Sequence, residues 1–309
     1  MKAMINKTHI EGFVYEHDLK KKVSGPQSKN PGTEYISGSI SIATDNAGVN
    51  IVPVYFSYVT PLTKNKKPNS AFSVLSGLID GSYKTVMGAG RENAVKVSID
   101  SAIGVNDFYT DKSGKEELVT AKRNEGGFIS VVNAINEDEK LRNTFKCDMV
   151  ITNVTRVEGD ADKGTVDKVI VKGATVGYNN TLVPIELTAT NAGAMDYFEG
   201  LGVTKSEPVF TNLWGRQISE TIVRTIKEES AFGEDSIRQV RSSRKEFLIT
   251  GAAKETYAWD DESTLTVNEL NAMITARETH LATVKQQYLD YKKSQSAPAA
   301  IATTSAFDF

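Results

Sequence analysis

One cysteine, Cys147, stands among 309 residues. An internal disulfide is therefore impossible, a thiolate metal cluster is excluded, and the fold must rest on packing alone. The three histidines, His9, His17 and His280, are too scattered for a metal or catalytic set. No apolar run approaches the roughly 20 residues that cross a bilayer, and "MKAMINKTHIEG" lacks the apolar stretch of a signal peptide. The expectation is a cytoplasmic protein with no membrane contact. Net charge is small, −3 with a pI near 5.8, which rules out a histone-like grip by bulk charge but leaves room for a local basic groove. Nucleotide fingerprints are missing too: "GAGREN" (88 to 93) has Asn93 where the last glycine belongs, and there is no Walker sequence. "DADKGTVD" (160 to 167) lacks the distal glutamate of a calcium loop and reads as a hairpin turn. Neither an enzyme nor a cofactor is expected.

Proline is also scarce, and two of the eight occur in matching places: "NIVPVYFSYVT" from Asn50 and "NTLVPIELTAT" from Asn180. Around them the chain alternates apolar with polar or small residues, the period of half-buried strands. The first half offers strands over 9–19, 34–44, 50–59, 94–103 and 126–135, with a short helix over 70–81 stopped by Gly81. The second offers strands over 147–159, 166–176, 181–190, 209–223 and 245–257, with a short helix over 192–202. Ala43-Thr44 and Val52-Pro53 recur as Ala174-Thr175 and Val183-Pro184. Five strands with a helix after the third is the layout of an OB-fold, a small barrel that binds oligonucleotides or sugars. The expected class is mainly β: two tandem OB-fold-like five-stranded barrels, then a C-terminal amphipathic helix and a flexible tail. Lacking an N–H, Pro53 and Pro184 should each lie at a strand start, an edge or a bulge.

The boundaries follow from composition. A first OB-like domain spans 1–143, a second 144–260, a helix 261–293 and a flexible tail 294–309. In the helix, Thr266 and Glu269 form a capping box, Leu270, Ile274, Leu281, Val284, Tyr288 and Tyr291 keep a three-four spacing, and Arg277 interrupts the stripe. "SQSAPAAIATTSA" is too polar and small to bury a core.

A single strand of nucleic acid needs cations to follow its phosphates and flat rings on which bases stack. Alternation places Asn212, Trp214 and Arg216 on one strand face, and Lys168 and Lys172 outward beside buried Val169 and Val171. In the first unit Tyr35, Tyr55 and Lys96 take the outward parity. Loop cations Lys64, Lys66 and Lys67, and Lys122 and Arg123 before Gly126-Gly127, would touch phosphate rather than read bases. In "EDSIRQVRSSRKEF" (234 to 247), Arg238, Arg241 and Arg244 recur every three residues beside Lys245, a basic stripe if the segment is helical.

"VSGPQSKNPGTEYISGSISIATD" (23 to 45), "KRNEGGFI" (122 to 129) and "EESAFGEDSIRQVRSSRKEFLITGA" (228 to 252) resemble segments of the single-stranded DNA-binding proteins of tailed bacteriophages, of the tandem OB kind. The resemblance spans most of residues 6 to 257. It implies a non-enzymatic protein that coats single strands during phage replication or recombination in the host cytoplasm, with little sequence preference. The ending resembles the acidic, phenylalanine-terminated tails that recruit replication or recombination proteins, here through Phe307, Asp308 and Phe309. Homo-oligomerisation is left open. The alternative from another class is a virion structural or scaffold protein built from tandem β-barrels.

Overall fold

The computed structural model describes residues 4–160, 165–204, 206–228, 232, 236–260 and 264–296, and for residues 222–228, 236–242 and 296 the backbone alone. Strand alternation works as the pattern demands. In β1 (Asn6–His17), Thr8, Ile10 and Val14 point inward and are buried, while Lys7, His9 and Glu11 point out. β2 (Lys20–Val23) is a short exposed strip on β3 (Glu34–Ala43).

In the first barrel β1 pairs with β3, and β3 with β4 (Ile51–Val59). β4 runs parallel to β6 (Glu117–Val131), β6 pairs with β5 (Lys96–Thr110), and β5 returns to β1. Helices α1 (Ser70–Ile79) and α2 (Val86–Ala89) join β4 to β5. The second barrel repeats every pairing. β7 (Asn143–Val157) pairs with β8 (Lys168–Val176), β8 with β9 (Leu182–Ala189), β9 in parallel with β11 (Ser236–Ala252), β11 with β10 (Val209–Glu228), and β10 with β7. α3 (Ala192–Gly200) follows β9 as α1 follows β4. Both units are thus five-stranded Greek-key barrels of the OB type.

Each barrel closes over its own core. Ile10, Ile40, Val54, Leu75 of α1, Val97 and Ile99 fill the first, and Met149, Val171, Leu187, Phe198 of α3 and Leu213 fill the second. Asn69 and Asn191 cap the two helices, each side chain accepting from a backbone N–H of the first turn. Pro53 and Pro184 sit near their strand starts, opposite Ser41 and Ala174, before the parallel ladders open at Val54 and Thr188. A missing N–H costs nothing there.

Two features exceed the sequence pattern. The barrels are joined through their first strands: β1 and β7 run antiparallel from Asn6↔Cys147 to Ile10↔Asn143, giving one 11-stranded sheet. The hairpins β5–β6 and β10–β11 also extend further than their predicted strands, to Thr110↔Glu117 and Glu228↔Ser236. Residues 236–247 are therefore strand, not helix. Spacing of three aligns side chains on a helix but alternates them on a strand, so the helical condition for a basic stripe is not met. The residue-by-residue partner is β10, whose Thr221, Ile222, Val223, Thr225 and Ile226 are β-branched and favour the ladder.

After β11 the chain covers the outer face of the second barrel. Tyr257 and Trp259 pack at a tilt against Phe210, and Leu265, Leu270 and Met273 bury Val150 and Val176. α4 (Val267–Ser296) starts with the expected capping box, the Thr266 N–H donating to Glu269 Oε2 at 3.0 Å and the Glu269 N–H to Thr266 Oγ1 at 3.2 Å. It then crosses to the first barrel's β5–β6 arm. Arg277, which breaks the apolar stripe, forms a forked pair with Asp107, whose side chain is 2% exposed.

Candidate nucleic-acid interface

Where β1 meets β7, the outward faces of both barrels form the floor of a cleft of about 1490 Å³. Cross-strand partners share a face, so the register gives the floor's order. One row runs Lys7 (β1), Lys146 (β7), Trp214 (β10), Gly251 (β11), with the Ala102–Glu125 pair of β5 and β6 lining the same cleft. The next runs Phe128, Asp100, His9, Thr144, Arg216 across the same strands from β6 to β10. Both barrels contribute to each row.

The floor holds rings in the open. Trp214 lies over Gly251, where a Cβ would collide with the indole, and Lys146 Nζ stands 5.9 Å from the ring centre. Phe128 is 84% exposed. It points outward because Ile129 beside it faces the core and a bulge at Gly126-Gly127 keeps the backbone of β6 close to Asp100. At the rim Tyr178 is 69% exposed in a turn whose next two residues, Asn179 and Asn180, are left-handed. Lys64 donates to its hydroxyl at 3.2 Å across the gap between barrels.

The floor also holds unneutralised charge. Lys7 and Lys146 face each other directly across the β1–β7 ladder, an arrangement that costs stability unless an anion sits between them. Lys140 and Arg216 flank them. Among the described residues no carboxylate lies within ion-pair distance of any of these four. The acids present are committed to neighbours: Asp100 Oδ1 lies 2.9 Å from His9 Nδ1, and Glu125 pairs with Arg123 at 3.1 Å.

Through Ser57 and Glu125 the cleft continues onto the outer face of β3–β4. There Tyr35 packs on Tyr58 at 4.5 Å, and the Arg123 guanidinium stands 6.0 Å from the centre of exposed Tyr55. Lys22, on β2, is directly opposite Tyr35.

Of the residues singled out from sequence, Trp214, Arg216, Tyr35, Tyr55 and Arg123 meet on this surface, with Lys64 at its rim. Lys66 and Lys67 are exposed on the same loop. Others do not join it. Asn212 shares the Trp214 face but is buried under the Tyr257 segment, donating to Asp148 Oδ1 at 2.7 Å. Lys122 is no free cation: its ammonium donates to the Glu186 carbonyl at 3.0 Å, and burial pushes its pKa down. Lys168 and Arg244 both hold Glu246, at 2.9 and 2.8 Å; burial opposes that carboxylate's charge, but the two cations keep it below the usual range. Lys172 pairs with Glu186 at 3.3 Å, and Lys96 folds over Phe13 to donate to the Asn133 carbonyl at 3.2 Å. Lys245 is exposed on β11 beside that cluster. The side chains of Arg238 and Arg241, and all of Phe307, Asp308 and Phe309, lie outside the described residues.

Sequence reasoning missed Lys7, Phe128, Lys140, Lys146 and Tyr178. Parity would have placed Lys7, Phe128 and Lys146 outward, beside inward Thr8, Ile129 and Cys147. Nothing in the pattern says that β1 and β7 lie side by side.

The family model described as YorF matches residues 5–287. Solved structures that align with the chain include the following two. One is a deletion mutant of the single-stranded DNA binding protein from Thermus aquaticus, at 8% identity and a TM-score of 0.44, covering 84% of this chain and 98% of that one. The other is a replication protein A heterotrimer bound to ssDNA, at 9% identity and a TM-score of 0.22, covering 90% and 70%. None of the curated proteins matches the chain.

Proposed function

This chain belongs to the YorF family, and we propose that it is a non-enzymatic protein that binds single-stranded DNA along the cleft between its barrels. The carrying observation is the row Lys7, Lys146, Trp214: two cations with no carboxylate beside them, facing each other next to an open indole. Lysines would follow the phosphates, and Trp214, Phe128 and Tyr55 would stack bases at about 1–3 kcal/mol each. Backbone contact and stacking carry no sequence information by themselves, so coating would be broadly tolerant of sequence and steeply dependent on salt.

The sequence resemblance supports a finer setting: strands exposed during phage replication or recombination, with Phe307, Asp308 and Phe309 recruiting a partner. We place the domain divisions at 1–143, 144–260, 261–293 and 294–309, so that the floor draws on both barrels. The test is a mobility shift with fluorescent oligo-dT over a salt series. Tight binding that weakens steeply with salt is expected. No binding at low salt would sink the proposal and favour a virion structural role.

A further inference from the structure

The duplicated floor has diverged in chemistry. Matching the barrels on their bulges, Tyr15 with Thr152 and Gly127 with Thr250, sets His9 in the slot of Lys146, Asp100 in that of Trp214 and Phe128 in that of Gly251. The second barrel's half of the floor thus presents cations and an indole. The first barrel's half presents a phenyl ring, a carboxylate and an imidazole on equivalent backbone positions.

A carboxylate in a groove that takes a polyanion repels it. Asp100 is nevertheless 73% exposed there, directly between Phe128 on one side and His9 on the other. Its Oδ1 is engaged by His9 Nδ1 at 2.9 Å, which fixes the carboxylate's orientation and leaves Oδ2 for another donor. The arrangement makes sense if phosphates run past Lys7 and Lys146 while bases pass over Phe128. A base stacked on that ring carries its Watson–Crick edge toward neighbouring side chains. Cytosine, adenine and guanine have an exocyclic amino group to donate; thymine has only its N3–H, flanked by two carbonyl oxygens that repel the carboxylate.

We propose that Asp100, oriented by His9, accepts a hydrogen bond from the exocyclic amino group of a base stacked on Phe128, so that the cleft holds cytosine strands more tightly than thymine strands. The proposal rests on the reading of the cleft as a single-stranded DNA site.

The experiment measures fluorescence anisotropy of the full chain with labelled oligo-dC and oligo-dT of equal length at one salt concentration. Oligo-dC should bind about fivefold tighter, the low end expected for one exposed base contact. Asp100→Asn, whose amide donates as well as accepts, should shrink that ratio to within about twofold, chiefly by raising oligo-dT affinity as the negative charge is lost. Phe128→Ala, at an exposed position that tolerates truncation, should weaken both and shrink the ratio as well. Equal affinities for the wild type would overturn base reading yet leave strand binding standing. Binding of neither oligonucleotide would overturn both. A ratio unchanged in Asp100→Asn would assign discrimination elsewhere and end the proposal.

Discussion

Each strand residue of the cleft has a distinct expected signature. Trp214→Ala removes a stacking platform at an exposed position and should weaken oligo-dT binding about tenfold, with the thermal midpoint nearly unchanged. Lys146→Ala should weaken binding and lower the slope of log affinity against log salt by about 0.7, the value for one phosphate contact on a single strand. Lys122→Ala should leave affinity unchanged in the same titration, because its ammonium is spent on the Glu186 carbonyl. These contrasts mark what was legible at this scale. Alternation correctly put Trp214 and Arg216 outward, because parity along a strand is fixed by the backbone. It failed for Asn212, since a covering segment from 45 residues later in the sequence is invisible to local pattern. It failed also for Lys122 and Lys168, because outward parity gives no information about a carboxylate or carbonyl supplied by another strand.

Among the elements, α4 is held to the second barrel by Leu270 and Met273 and to the first barrel's arm by the Arg277–Asp107 pair, with Tyr288 stacked on Tyr109 further along. Burial opposes the Asp107 charge, but Arg277, Thr120 and His280 outweigh it and hold the carboxyl below its usual range. A depressed pKa contributes stability that is present above the unfolded value of about 3.9 and is lost as pH falls through the lower folded value. Asp107→Asn should therefore destabilise by about 2 kcal/mol at pH 7, the scale of hydrogen bonds to a charged group. The gap between variant and wild type in thermal midpoint should begin to narrow below about pH 4 and go on narrowing as pH falls through the folded value. The capping box of α4 was legible because Thr266 and Glu269 act over three residues. The β11 segment was not, because a three-residue recurrence of arginine mimics a helix and its real partner is β10.

At the scale of the molecule, duplication was readable: the same order of strands and helix occurs twice, down to a proline near the start of each third strand. The junction was not readable, because pairing of β1 with β7 joins residues far apart in sequence through a ladder of ordinary alternation. Since that ladder makes one sheet of both barrels, calorimetry should show a single unfolding transition, with calorimetric and van't Hoff enthalpies in agreement. Two resolved transitions would mean that the shared ladder does not couple them.

Cys147 lies at the end of that ladder, opposite Asn6, fully buried and with its thiol pushed up by burial and by Asp148. Its side chain points into the second barrel's core, so it cannot react with an alkylating reagent while that barrel is closed. With no second cysteine in the chain, every labelled molecule records one opening event, so labelling rate becomes a clock for how often that core is breached and whether a bound strand holds it shut.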